Sequence, residues 1–325
     1  MKSENLWGQA VYVQFREEID PFKDYQYFRP LNKAYNGENT FWSLPSPEPD
    51  LSDDFWEAVR FRINNEAIKA AACGLAYAVS HWEPDGKNLV FAAILRAGVP
   101  IADWLCQLIP GAAAVSLSLF AGLGPDRVAL ESLRQNYPER KIVFVDGWTG
   151  RGGVSRELAK LGAGPLAVLI DPWGWADFSG TQEDIFCPTA CFTGAATLGF
   201  SRTFYVDDKS LFAAYRFPRK YCREELVRTW RMNCPEPGTV SAKAGFTHPA
   251  YFFKETSLRL HSNEVCRALI NAAPETIYFL HDAAYVREHY PLLLLLADRR
   301  NVKIIYNVRE LKSYRTRAAC SLQNT

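Results

Sequence analysis

The stretch that most constrains this chain is KIVFVDGWTGRGGVSREL, Lys141 to Leu158. Lys141 to Val145 lacks polar alternation and reads as a strand buried on both faces, as a parallel sheet requires. Asp146 stands where that strand is expected to end. Gly147, Gly150, Gly152 and Gly153 follow, with Thr149, Arg151 and Ser155 among them, and then RELAKLG, which has helical composition. A strand, a glycine-rich turn and a helix in this order let backbone N–H groups converge at a helix N-terminus, where the dipole favours a phosphate. Glycine serves because side chains would block the close approach and because such turns use positive φ. The other reading is a βα turn without a ligand. Two familiar phosphate loops are excluded. A Walker A loop needs a Lys inside the turn, and a dinucleotide fingerprint needs its first glycine against the strand, where Asp146 stands here.

A second turn of the same kind lies upstream. NLVFAAILRAGVPIADWLCQLI gives a strand, a turn at Arg96-Ala97-Gly98 and a helix. Alone, it reads equally well as a plain turn with a surface Arg. AAAVSLSLFAGLGPD then supplies a strand, Ala114 to Phe120, and a loop with Asp126 and Arg127 before ALESLRQNYPER. PLAVLID reads as a fourth buried strand and DIFCP as a short fifth. Strands alternating with helices predict an α/β fold with a doubly wound parallel sheet, and ligands at the carboxyl ends of its strands, where both turns fall.

A chain of 325 residues suggests two domains. With 37 basic against 36 acidic residues, no nucleic acid or anionic membrane is demanded as a partner, although a local patch can hide in a neutral total. The charged N-terminus carries no signal-peptide pattern and PLLLLLA is too short to span a bilayer, so the chain reads as cytoplasmic. Its eight cysteines form no C-x-x-C pair and have no His at zinc spacing.

Residues 1–52 read as irregular structure or short strands, a hood over the site. Ser52 opens a helical pattern through DDFWEAVRFRINNEAIKAAACGLAYAVSHW, with Phe55, Val59, Phe61, Ile68, Ala72, Leu75 and Val79 as its apolar positions. A domain over 53–232 ends in a charged helix, Arg223 to Met232. Residues 233–245 have linker composition. Residues 246–325 read as a small α/β domain: a helix NEVCRALINAA, a strand TIYFLHD, a helix YPLLLLLADRR, a strand VKIIYNV and a last strand near RTRAAC. Trp173 and Trp175 would either stack a planar ligand or pack the hood, and His281 beside Asp282 is the histidine of interest.

The Thr/Gly-rich loop after an acid resembles the 5-phosphoribosyl-1-pyrophosphate (PRPP) loop of type I phosphoribosyltransferases, and Leu95 to Gly98 resembles their pyrophosphate loop, which often holds a non-proline cis peptide. LRAGVPI, GLGPDRVAL, VDGWTGRGGVSREL and CPTACFTGAATLGFSRT together look like the phosphoribosyltransferase-like proteins of tellurite-resistance (Ter) clusters, also called StiP-like cysteine proteases. The element order of the C-terminal part resembles the L7Ae/Pelota-type RNA-binding module.

The resemblance implies a transferase that moves ribose 5-phosphate from PRPP to an unidentified acceptor in nucleotide-like metabolism. Asp146 would hydrogen-bond the ribose hydroxyls. Thr149, Gly150, Arg151, Gly152, Gly153 and Ser155 would take the 5'-phosphate, and Leu95, Arg96, Ala97 and Gly98 the pyrophosphate, with Mg2+ bound through PRPP rather than by a protein metal site. Arg127, Ser201 and Arg202 are candidate pyrophosphate or acceptor contacts, with a solvated Arg127 and a surface ion pair of Arg202 as the other readings. Two departures stand out: Gly147 replaces the second acid usual in the family, and Arg151 replaces a Thr. A non-catalytic ribose-phosphate or RNA-binding protein therefore stays open, with RNA contacted through Arg299, Arg300, Lys303 and Arg309, as does an oligomer. So does a cysteine protease using Cys191 or Cys187, which would need a His base close in space.

Overall fold

The computed structural model describes residues 3–31, 39–237 and 258–322. Its centre is a seven-stranded sheet in the order Ser3–Glu4, Ala10–Val11, Ala113–Leu117, Leu89–Ile94, Lys141–Trp148, Leu166–Ile170, Phe178–Thr181. Every neighbouring pair is parallel except the first, which is antiparallel. Leu89–Ile94 and Leu166–Ile170 are buried along their whole length, as strands covered on both faces must be. Phe91, Val143, Val145 and Leu169 face one layer with helices Glu66–Trp82 and Gly98–Leu108, while Val90, Ile94, Phe144 and Val168 face another with helix Arg127–Asn136. This is the doubly wound arrangement that the sequence predicts.

Several local expectations are corrected. The long helical pattern after Ser52 is two helices, Asp53–Phe61 and Glu66–Trp82, because Asn65 accepts the N–H groups of Ala67 and Ile68 and starts a new helix. Phe61, read as a core position, is 81% exposed. The fifth strand is Phe178–Thr181 and not DIFCP. Gly180 allows this, since a Cβ there would sit 2.2 Å from the Ala71 carbonyl oxygen of the overlying helix. The first fifty residues do contain short strands, and these are built into the large domain: Ala10–Val11 pairs with Ala113–Leu117, and Gln14–Glu18 pairs with Ala213–Arg216.

The stacked indoles of Trp104 and Trp230 lock helix Glu224–Met232 against Gly98–Leu108, with centroids 3.8 Å apart. Each indole N–H donates to a backbone carbonyl, Trp104 to Trp230 and Trp230 to Pro100. Most of the expected linker lies outside the described residues. Beyond it, a four-stranded sheet runs in the order Leu258–Leu260, Ala318–Leu322, Pro274–Phe279, Lys303–Ile305. It carries helices Ser262–Asn271 and Pro291–Arg299, as expected, and also Ala283–His289, which was not. The L7Ae/Pelota likeness rests on element order alone, and the first strand of this sheet was not part of the expected pattern.

Candidate anion-binding site

The two glycine-bearing turns lie side by side at the ends of neighbouring parallel strands. Gly98 is pressed against the next strand: a Cβ there would fall 2.0 Å from the Val145 carbonyl oxygen. A Cβ at Gly147 would meet the Ala97 Cβ at 3.2 Å. Helix Gly98–Leu108 therefore starts against the end of strand Lys141–Trp148, the strand that leads into helix Gly153–Leu161, and no side chain caps the N-terminus of either helix. The first N–H groups of a helix are the donors that an anion can satisfy, although here the Val99 N–H donates to the Arg96 carbonyl at 3.2 Å. The Leu95–Arg96 peptide is cis.

Asp146 lies between the two turns, half-buried, with Oδ1 accepting the Gly147 N–H at 2.8 Å. Burial pushes its carboxyl up to about 7. The Gly147 N–H opposes that rise, the charge of Glu264 adds to it and that of Arg267 opposes it. The strand itself runs past Asp146 to Trp148, which pairs with Ile170.

In the glycine loop, Gly150 and Gly152 have φ of 52° and 74°. The Thr149 hydroxyl donates to Asp171 at 2.7 Å, and that of Ser155 to the Trp175 carbonyl at 2.7 Å. Both hydroxyls thus brace the loop. Gly152 lies under the Trp175 ring, where a Cβ would come within 2.3 Å. Trp173 donates to the Tyr314 carbonyl and packs against the C-terminal domain. Both tryptophans are packing residues here. Burial, with Arg259 and Arg156 nearby, lowers the Arg151 pKa.

Arg96 is clamped. It forms a buried ion pair with Glu48 at 3.0 Å and donates to Asn271 at 2.9 Å. Glu48 in turn accepts the Ala195 N–H. The Arg202 guanidinium lies 5.0 Å from the Trp42 ring centroid and 5.5 Å from that of Phe120, and it makes no hydrogen bond or ion pair among the described residues. The expected surface ion pair is therefore absent there. Burial, reinforced by Arg29, Arg96, Arg267 and Arg259, holds its pKa well below the ordinary value. Ser201 is fully buried and its hydroxyl bonds only backbone, donating to Arg202 and accepting from Tyr215. Arg127 is exposed at the start of its helix.

Sequence reading missed the residues that the C-terminal domain brings. On helix Ser262–Asn271, Glu264 accepts the Trp148 indole N–H at 2.8 Å, Arg267 donates to the Ala190 and Phe192 carbonyls, and Asn271 holds Arg96. Their spacing of three and four residues in an otherwise apolar helix was the available signal. A surface cavity of about 730 Å³, lined by Phe15, Phe200, Arg216 and Met232 among others, shares no residue with the two turns.

Cys187 and Cys191 are fully buried, and burial raises both thiols, Cys187 to about 11. Cys191 Sγ lies 3.6 Å from Cys266 Sγ and Cys187 Sγ 3.1 Å from the Thr189 hydroxyl; among the described residues neither sulfur is hydrogen-bonded to a histidine. His248 lies outside the described residues. His281 stacks on Tyr285, and Asp282 caps helix Ala283–His289. Arg300 donates to the Leu269 and Ile270 carbonyls, which draws it from the basic set considered for RNA.

Fold and site together define an α/β domain with two adjacent glycine-bearing turns at the carboxyl edge of a parallel sheet. The family model described as "Tellurite-like stress resistance cysteine protease StiP" matches residues 35–228. That is more than half of the chain, and the protein belongs to this family. It is 34% identical over 114 residues to the "Cysteine protease StiP" of Acinetobacter baylyi, covering 31% of this chain and 30% of that protein. It is 29% identical over 114 residues to the "Uracil phosphoribosyltransferase" of Sinorhizobium medicae and to that of Rhizobium meliloti, covering 31% of this chain and 53% of each. The chain thus spans about a third of the StiP relative and about half of the two transferases. No solved structure gives a significant match. Among the described residues, no helix is long and apolar enough to cross a membrane.

Proposed function

We propose that the protein is a phosphoribosyltransferase-like enzyme that binds PRPP and moves its ribose 5-phosphate to an acceptor in nucleotide-like metabolism. The observation that carries this reading is the contact of Gly98 with Val145 and of Gly147 with Ala97, which brings the turn that starts one uncapped helix against Asp146 and the strand end that leads into the other. One ligand with a phosphate at each end of a ribose suits that spacing. The backbone from Thr149 to Gly153 takes the 5'-phosphate, and Ala97 and Gly98 take pyrophosphate through N–H groups, while Arg96 holds the loop in place through Glu48. Arg202 lends its charge to the leaving group or to the acceptor.

In the transfer, the C1–O bond to pyrophosphate breaks and its electron pair leaves with pyrophosphate. The ribose passes through an oxocarbenium-like state, the acceptor's lone pair forms the new bond to C1, and the acceptor loses a proton. Asp146 in its carboxylate form would hold the ribose hydroxyls and set negative charge beside the developing cation. Mg2+, taken up through PRPP rather than by a protein metal site, would neutralise charge on the pyrophosphate.

The family name favours a second reading, a cysteine protease. A thiol nucleophile needs a lowered pKa and a base within hydrogen-bond reach. The buried Cys187 and Cys191, with raised pKa values, supply neither. The discriminating test is thermal unfolding with and without PRPP and Mg2+. A ligand at a hundred times its Kd adds about 2.7 kcal/mol of stability, so the melting temperature should rise by several degrees, and an unchanged melt would contradict the transferase reading.

A further inference from the structure

Helix Ser262–Asn271 lies outside the family match at residues 35–228, yet its polar face meets both turns of the site. Glu264 is the closest approach. Its Oε1 accepts the Trp148 indole N–H, and its side chain lies against Gly150, where a Cβ would meet Glu264 Cγ at 3.0 Å and Oε2 at 3.4 Å. Trp148 belongs to the VDGWTG stretch, so the large domain itself carries the donor that aims this carboxylate. Glu264 is near enough to Asp146 that its charge helps raise the Asp146 pKa, behind burial as the main cause.

A ribose presents two adjacent hydroxyls, and each needs an acceptor. Asp146 already spends Oδ1 on Gly147 N–H, and position 147 is a glycine, where a Cβ would crowd Ala97 at 3.2 Å. At the same end of the helix, His261 is 2% exposed and neither ring nitrogen has a hydrogen-bond partner among the described residues. Its imidazole feels the charges of Glu264 and Asp171, and Asp171 is the acceptor of the loop hydroxyl of Thr149. An unsatisfied buried polar ring is costly without a guest.

We propose that Glu264 is the second ribose-binding carboxylate, supplied to the transferase site from the C-terminal domain. The two domains then share one active site, and the C-terminal domain covers substrate. This rests on the PRPP reading above. It also accounts for Trp148, whose indole N–H would otherwise have no evident purpose at the mouth of a phosphate loop.

The test is calorimetric titration of the full chain and of Glu264→Gln with PRPP plus Mg2+, and separately with pyrophosphate plus Mg2+, which has no ribose. Gln keeps the shape and still accepts from Trp148, but it loses the charge. PRPP should bind about tenfold or more weakly to the variant, the scale of a lost charge-assisted hydrogen bond, while pyrophosphate affinity is unchanged. Trp148→Phe, which keeps an aromatic side chain and removes the N–H, should weaken PRPP selectively too. Equal PRPP binding by Glu264→Gln and wild type would overturn the assignment and leave the PRPP reading standing. Equal losses for PRPP and pyrophosphate would overturn it as well, since Glu264 would then only dock the helix. No PRPP binding by the wild type would overturn both.

Discussion

Asp184 and Ser262 join the two domains through one carboxylate and one helix start. Asp184 Oδ1 accepts the Ser262 N–H at 2.9 Å and its hydroxyl at 2.7 Å. Oδ2 accepts the Arg317 N–H at 2.7 Å and the Thr316 hydroxyl at 3.2 Å. The aspartate is 3% exposed, so the helix that bears Glu264 is held by a buried hub of donors around one acid.

Asp184→Ala would strand several buried donors, each worth about 1–3 kcal/mol. We expect a loss of about 3 kcal/mol or more in urea unfolding, with the C-terminal domain cleaved first in limited proteolysis. An unchanged unfolding midpoint would contradict the hub.

Asp146 makes stability depend on pH. Its carboxyl is raised from 3.8 to about 7 in the folded state, so within that window the folded chain holds a proton that the unfolded chain has released. The unfolded state binds fewer protons there, and stability falls as pH rises from about 4 to about 7. Asp146→Asn removes the charge that must be buried. Its gain over wild type, up to about 4 kcal/mol from a shift of roughly three units, should be larger in urea unfolding at pH 8 than at pH 5. Equal gains at both values would show that this carboxyl is not raised.

Arg96 and Glu48 form a buried pair, with 7% and 1% of their side chains exposed. Arg96→Ala leaves Glu48 uncompensated and should cost about 3–5 kcal/mol. Removing both charges together, as Arg96→Met with Glu48→Leu, should recover much of that loss in the same unfolding assay. If the double variant is no better than the single one, the pair is not what makes Arg96 matter.

The main sheet was legible in the sequence because Leu89–Ile94 and Leu166–Ile170 are apolar without alternation, which only a two-faced strand tolerates. Both turns were legible because glycine is demanded there by contact, as at Gly98 against Val145, or by positive φ, as at Gly150 and Gly152. Strands of two residues, such as Ala10–Val11, are too short to show a period, and Phe178–Thr181 is read only once helix Glu66–Trp82 lies over Gly180. Glu264 was illegible because its meaning comes from Trp148, far away in the chain and joined to it by the docking of a second domain.

Gly98→Ala must push on the Val145 carbonyl oxygen, 2.0 Å from the new Cβ. We expect a loss of about 1–3 kcal/mol in stability, as for overpacking, together with loss of pyrophosphate binding, read by denaturation and by competition with PRPP. Retained binding would separate the turn from the ligand.

Cys191→Ser tests the other reading of the family. The buried thiol contributes packing beside Cys266, so its replacement should lower the melting temperature slightly and leave any PRPP-linked activity intact. Loss of a peptide-cleaving activity in a variant that still folds would instead make Cys191 the nucleophile.

The most direct measurement is calorimetric titration of the wild type and of Asp146→Ala with PRPP and Mg2+. Binding in the micromolar range that the substitution abolishes is the result predicted for a ribose held at Asp146 between two anion loops. Absence of binding by the folded wild-type chain would contradict the account.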